Sequence, residues 1–178
     1  MPSNTDAETS IVHAFTDGST RPRNPGYGSC AYVIIGSKVW LGTRWLGNNI
    51  TNNQAELMGI YDALYRLKQL RDTEQIALPA IVHSDSEWSV HSINGVYNSK
   101  KNRDFIDQCR RQMEELIDVK LVWVRGHAGN QYNEFVDKMA HATSLIPNHR
   151  SEQEFTLEQF ASGAREYLDK HAQLVETL

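Results

Sequence analysis

Four acids recur at comparable places in four segments: Asp17 in "FTDGS", Glu56 in "TNNQAEL", Asp85 in "SDSEW" and Asp137 in "NEFVDK". Asp17 and Asp85 each close an apolar, strand-like run. Glu56 and Asp137 each fall inside a helix-like segment that follows one. Carboxylates brought together repel, and each raises its neighbour's pKa unless cations neutralise them. An all-oxygen cluster suits Mg²⁺ or Mn²⁺, hard ions that keep several waters and also bind substrate phosphates. Two such ions about 3.5–4 Å apart activate water and stabilise the leaving oxygen in phosphodiester cleavage. His127 stands between Gly126 and Gly129 in "GHAGN". Histidine's ordinary pKa of roughly 6.5 suits a mobile proton carrier on such a loop.

Each residue alone also has an ordinary structural role. Asp17 before a glycine is a common turn former. Asp85 ahead of a helix serves as an N-cap, and Glu56, three residues after Asn53, can close a capping box. Asp137 alone reads as a solvated helix residue and His127 as a loop histidine. Only the joint order and spacing of the five favours chemistry.

The elements that must position them follow from periodicity. Residues 11–16, 29–36 and 38–46 read as strands, the last two joined as a hairpin through "GS". Between the first two, residues 17–28 hold two prolines and three glycines and read as a loop. Leu57, Ile60, Tyr61, Leu64, Leu67 and Leu70 recur at helical spacing over 53–71. A strand at 79–84, a helix near 86–95, an amphipathic helix carrying Phe105 to Ile117, a strand at 119–124 and a helix over 130–145 complete the order βββαβααβα. That order predicts an α/β fold with a mixed five-stranded sheet, its first three strands antiparallel and the rest parallel, flanked by helices. If the first and fourth strands are neighbours, Asp17 and Asp85 face one crevice beyond their carboxyl ends. Residues 1–9 read as a disordered leader, 10–147 as one folded unit, and 148–178 as a linker and an amphipathic helix over 157–176 capped by Thr156 with Gln159. The four tryptophans and Cys109 are expected in core packing, with Trp88 alternatively beside substrate.

The 178 residues are enough for one domain with a sizeable core. No apolar run reaches the roughly 18 residues of a membrane span, and the polar N-terminus lacks a signal's apolar region. Two distant cysteines without metal-type spacing fit a reducing, cytoplasmic setting. A net charge of −4 argues against purely charge-driven binding of a polyanion, though metal ions or a local basic patch supply attraction.

"FTDGS", "TNNQAEL", "SDS" and "RGHAGNQYNEFVDKMA", in this order over about residues 11–145, resemble the motifs of type 1 ribonuclease H. The resemblance implies a ribonuclease H-like fold and Mg²⁺-dependent endonucleolytic cleavage of the RNA strand of RNA–DNA hybrids, leaving 3′-hydroxyl and 5′-phosphate ends. It makes Asp17, Glu56, Asp85 and Asp137 the ligands of two ions, with Mn²⁺ able to substitute, and gives His127 a part in proton transfer or product release. Asn24, Asn52 and Asn53 match positions that contact the hybrid, and Thr51 matches one that grips a DNA-strand phosphate. Gln54 and Ser19 are lesser candidates, while Asn133 and Glu134 are expected to order a helix start. The Trp-rich basic handle of bacterial members is reduced here to Lys100, Lys101 and Arg103, and Glu87 stands where relatives often carry Gln. The same resemblance leaves a non-catalytic nucleic-acid-binding scaffold and another metal nuclease of the superfamily as alternatives. A monomer is expected, with a homodimer or partner contact through the last helix as the other option.

Overall fold

The computed structural model describes residues 11–163; the expected leader and most of the expected last helix lie outside the described residues. The elements run β1 (Val12–Arg21), β2 (Gly26–Ile35), β3 (Val39–Ile50), α1 (Asn52–Asp72), β4 (Ala80–Ser84), α2 (Glu87–Ile93), α3 (Arg103–Leu116), β5 (Val119–Trp123), α4 (Gln131–Ser144) and β6 (Arg150–Phe155). One sheet contains all six strands in the order β5-β4-β1-β2-β3-β6. The β1–β2–β3 meander and β6 pair antiparallel, whereas β4 lies parallel to both β1 and β5.

Strand alternation sends Val12 and Ala14 to one face and Phe15 to the other. On the first face α1, α2 and α3 close a core that includes Ile34, Trp40, Leu57, Ile60, Leu64, Leu121 and the buried Cys109. On the second, α4 lays Phe135, Val136, Met139 and Ala140 over Phe15, Ala31, Val33, Val39 and Leu41. Helix α1 forms because its apolar residues recur at 3.6-residue spacing. It starts at Thr51, whose hydroxyl accepts from Gln54 N while Gln54 Oε1 accepts from Thr51 N. The capping box therefore belongs to Thr51 and Gln54, which releases Asn53 and Glu56 from that duty.

Three expectations are corrected. First, residues 17–28 are not a loop. β1 and β2 continue their ladder from Asp17↔Ala31 to Arg21↔Tyr27, leaving only a tight turn at 22–25. Asp17 and Gly18 have weak strand preference, and the pairing partner overrides it. Second, the sheet has six strands rather than five, because the expected linker contains β6. "RSEQEF" has no apolar alternation to announce it, and its side chains are mostly exposed. Its ladder against β3, the Lys38–Glu154 ion pair at 2.5 Å and a Trp40 Nε1 bond to Glu154 at 3.0 Å hold it as a charged edge strand. Third, Trp123 is 44% exposed on edge strand β5 rather than in the core, whereas Trp40 is buried and Trp88 packs partly against the first core.

After β6, Thr156 and Gln159 make both bonds of the expected capping box, and residues 157–163 are helical. Phe160 docks this start against Phe135, Tyr132 and Phe155.

Beside α4, His83 stacks on Phe15 and lies 3.0 Å from the ring of His13. Burial, with His13 adding to it, pushes the His83 pKa down to about 4. The fold thus favours neutral His83, so its contribution is present above pH 6.5 and is lost as pH falls from there towards 4. Urea titrations at pH 7.5 and 5 should show wild type losing stability on acidification more steeply than His83→Phe. The difference should be a fraction of the about 1.4 kcal/mol per pH unit that one full proton carries. Parallel slopes would exclude His83 as the source.

Candidate active site

The last parallel pairing of β1 with β4 is Thr16↔Ser84. Asp17 and Asp85 are the next residue of each strand path, so the adjacency of these two strands alone puts them side by side. Glu56 joins them because α1 lies directly on β1. A Cβ on Gly18 would stand 2.3 Å from the backbone of Ala55 and Glu56, and one on Gly59 would stand 2.9 Å from Asp17 O. Two glycines thus permit a backbone-to-backbone approach that any side chain would block. Gly18 is therefore a contact point inside a strand and not part of a turn. Its N–H donates to Glu56 Oε2 at 3.1 Å and fixes that carboxylate.

Carboxylate oxygens of Asp17, Glu56 and Asp85 all lie within 4.8 Å of one another. Asp137, from the second turn of α4, lines the same cavity of about 410 Å³ without entering that close group of three. Asp17 is only 5% exposed. Burial first, then the charges of Glu56, Asp85 and Asp137, raise its pKa well above the carboxylate range. Burial and Asp85 do the same to Glu56. Three oxygens from three carboxylates, inward-facing and mutually repulsive, are the donor set of a hard divalent cation, so the residues fit the ion their motifs imply.

Asp85 has no capping duty, because Ser86 caps α2 by accepting from Ser89 N. It is held instead from two sides. Asn133 Nδ2 donates to Asp85 Oδ2 at 3.2 Å, and Trp123 Nε1 donates to its backbone carbonyl at 3.1 Å. Asn133 therefore does more than order the start of α4, a task that Asn130 performs as N-cap; Glu134 lies exposed in the first turn. Gly126 packs against Asp85, since a Cβ there would come 2.9 Å from Oδ2. The next residue, His127, is exposed at a positive φ of 52°, beside the site and outside the cavity lining.

The expected substrate residues divide. Asn24, Thr51, Asn52, Asn53 and Lys101 line a second concavity of about 540 Å³, joined to the first because Asn52 and Asn53 line both. Asn24 Oδ1 accepts from Asn52 N at 3.0 Å, which ties the β1–β2 turn to the α1 start. Ser19 lines the first cavity. Gln54 is committed to the helix cap, and neither it nor Lys100 nor Arg103 lines either cavity. Glu87 is exposed and lies 3.8 Å from His91.

Residues missed from sequence are Asn102 in the second concavity and Arg21 and His141 in the first. Asn102 caps α3 from a left-handed conformation without a side-chain cap bond, so its amide is not consumed there. His141 had a legible signal, standing one turn after Asp137 on the same helix face. Arg21 did not, because the strand that carries it read as loop.

A mixed sheet whose adjacent parallel strands end in paired carboxylates, supplemented from two helices, defines a ribonuclease H-like protein with an acidic cluster at its centre. Comparison with known proteins narrows the class. The RNase H family model matches residues 9–144. Ribonuclease H of Treponema denticola is 31% identical over 151 residues, covering 72% of this chain and 94% of that protein. Among solved structures, RNase H1 of Halobacterium salinarum matches with a TM-score of 0.60 and 23% identity over 75% of this chain and 97% of the other. LC11-RNase H1, isolated from compost and crystallised with an RNA/DNA hybrid, matches with a TM-score of 0.62 and 23% identity over 73% and 96%. The chain belongs to the ribonuclease H family. Among the described residues no helix is long and apolar enough to cross a membrane.

Proposed function

We propose that this chain is an endonuclease that hydrolyses the RNA strand of RNA–DNA hybrids, leaving 3′-hydroxyl and 5′-phosphate ends. Family membership supports the reaction class, and the cluster of Asp17, Glu56 and Asp85 within 4.8 Å is the observation that carries it. These three, with Asp137 on the cavity wall, are the residues that would hold two Mg²⁺ ions, with Mn²⁺ as a substitute. When bound, the ions supply a water activated for attack and stabilisation of the leaving oxygen.

The chain's own groups do the rest. Gly18 N–H holds Glu56, while Asn133 and Trp123 hold Asp85, so neither carboxylate has to reorganise when charge develops in the cavity. His127, raised on its glycine-flanked loop next to Asp85, takes or returns a proton through an imidazole nitrogen as the cut phosphate leaves. Asn24, Asn52 and Asn53 offer amides that donate and accept, the chemistry needed to sense 2′-hydroxyls in a shallow minor groove. Thr51, Asn102 and Lys101 offer the second concavity to the DNA strand's backbone.

Purified protein incubated with labelled hybrid, duplex RNA and single-stranded RNA, with Mg²⁺ or with EDTA, tests the reading. Cutting confined to the RNA of the hybrid and abolished by EDTA is expected; hybrid left intact in Mg²⁺ would sink it. His127→Ala should lower kcat about 10- to 100-fold while binding of the hybrid is retained. An unaltered kcat would remove His127 from the mechanism.

A further inference from the structure

Arg21 and His141 meet on the wall of the acidic cavity although 120 residues separate them. Arg21 ends β1, four residues beyond Asp17, about 13 Å along a strand. His141 lies one turn, about 6 Å, beyond Asp137 along α4. Arg21 Nη2 contacts His141 Nδ1. A guanidinium has only donors, so Nδ1 must accept and the ring carries its proton on Nε2. Burial and the Arg21 charge lower the His141 pKa, which agrees with a neutral ring. The lining of this cavity thus holds, besides its acids, a cation that contacts a neutral histidine. That arrangement would be wasteful for binding a metal, which cations repel. It suits an anion lying alongside the metal site.

We infer that Arg21, positioned by His141, grips a non-scissile phosphate of the cleaved strand, within about three nucleotides of the cut. The inference rests on the hybrid-cleaving function proposed above. It supplies one cation on the cleaved-strand side of the site, apart from Lys101 in the second concavity. Arg21 binds through a planar fork that matches phosphate geometry, so lysine replaces it only in part. His141 is a positioning residue that acts through Arg21.

The test uses a DNA strand paired with a chimeric strand holding one short ribonucleotide block, which fixes the cut site. Single methylphosphonate linkages, which remove one phosphate charge each, are walked along the chimeric strand. Wild type should lose about 5- to 20-fold in KM at one particular non-scissile linkage. Arg21→Gln should raise KM for the unmodified hybrid by a similar factor, more than it lowers kcat, and reduce the salt slope of binding in EDTA by about one. The methylphosphonate at that linkage should then cost the variant nothing further. Arg21→Lys should recover part of the loss. His141→Gln should raise KM about 3-fold, and in the double variant the two effects should fall short of additive. A methylphosphonate pattern identical in wild type and Arg21→Gln, or an unchanged salt slope, overturns the inference. Failure of wild type to cut any hybrid overturns the proposed function instead, so the two are separable.

Discussion

Asp17→Asn should abolish metal-dependent cleavage, with activity reduced by at least about 10³-fold, and should make the metal-free protein more stable at pH 8. The two effects share one cause. Burial first, and then the charges of Glu56, Asp85 and Asp137, raise the Asp17 pKa well above its unfolded value, so the fold prefers it protonated. A group of that kind contributes stability at low pH and loses it as pH rises from about 4 through the folded pKa. At pH 8 the metal-free wild type therefore bears an unneutralised acidic cluster, which a neutral amide at position 17 relieves. Thermal denaturation in EDTA should show the variant about 2–6 °C higher in Tm at pH 8, with the gap closing towards pH 4. Mg²⁺ should raise the wild-type Tm more at pH 8 than at pH 5.5, since Glu56 is shifted the same way by burial and Asp85, and should raise the variant's Tm less. A variant that is less stable than wild type in EDTA at pH 8 would show that Asp17 stabilises the fold without a cation.

Gly18→Ala tests the scaffold beneath that cluster. Its methyl would stand 2.3 Å from the backbone of Ala55 and Glu56, atoms in the first turns of a 21-residue helix that cannot yield locally. Helix α1 must lift from β1, which loosens the first core and lengthens the distance from Glu56 to Asp17. A loss of about 3–5 kcal/mol is expected by urea titration. Activity in Mg²⁺ at a temperature where the variant is still folded should fall at least about 100-fold, because misplacing a positioned group by an ångström costs on that order. Gly95→Ala is the contrast: a Cβ there meets nothing within 4 Å, although its φ of +80° adds backbone strain, and it should keep near-normal activity. An active, stable Gly18→Ala protein would mean that α1 and β1 are not in the contact described.

The comparison of these two residues shows where the sequence was readable. The acidic cluster was legible because four such segments in order are hard to assemble by chance, and the fold brings Asp17, Glu56 and Asp85 together. The elements carrying them were legible wherever one face is buried, as in α1 with Leu57, Ile60, Leu64 and Leu67, because burial imposes a period on the sequence. Gly18 was misread as a turn because "TDGS" has the local chemistry of one. Its real constraint is a neighbour from 37 residues away in the chain, which no local pattern expresses.

The sequence by itself determined the positions of the acids, the histidine loop, the capping box at Thr156 with Gln159 and the succession of strands and helices as far as α4, since all are set by side-chain chemistry or by short-range periodicity. The tertiary structure alone decided that β4 inserts beside β1, which turns two strand-end aspartates into a pair. It decided that a polar segment after residue 147 completes the sheet as β6, held by backbone bonds that leave no hydrophobic signature. It also decided that Thr51 rather than Asn53 caps α1, and that Arg21 comes to rest on His141 across the cavity. Strand neighbours and close backbone approaches are long-range outcomes of packing the whole chain, and a local reading of residues does not contain them.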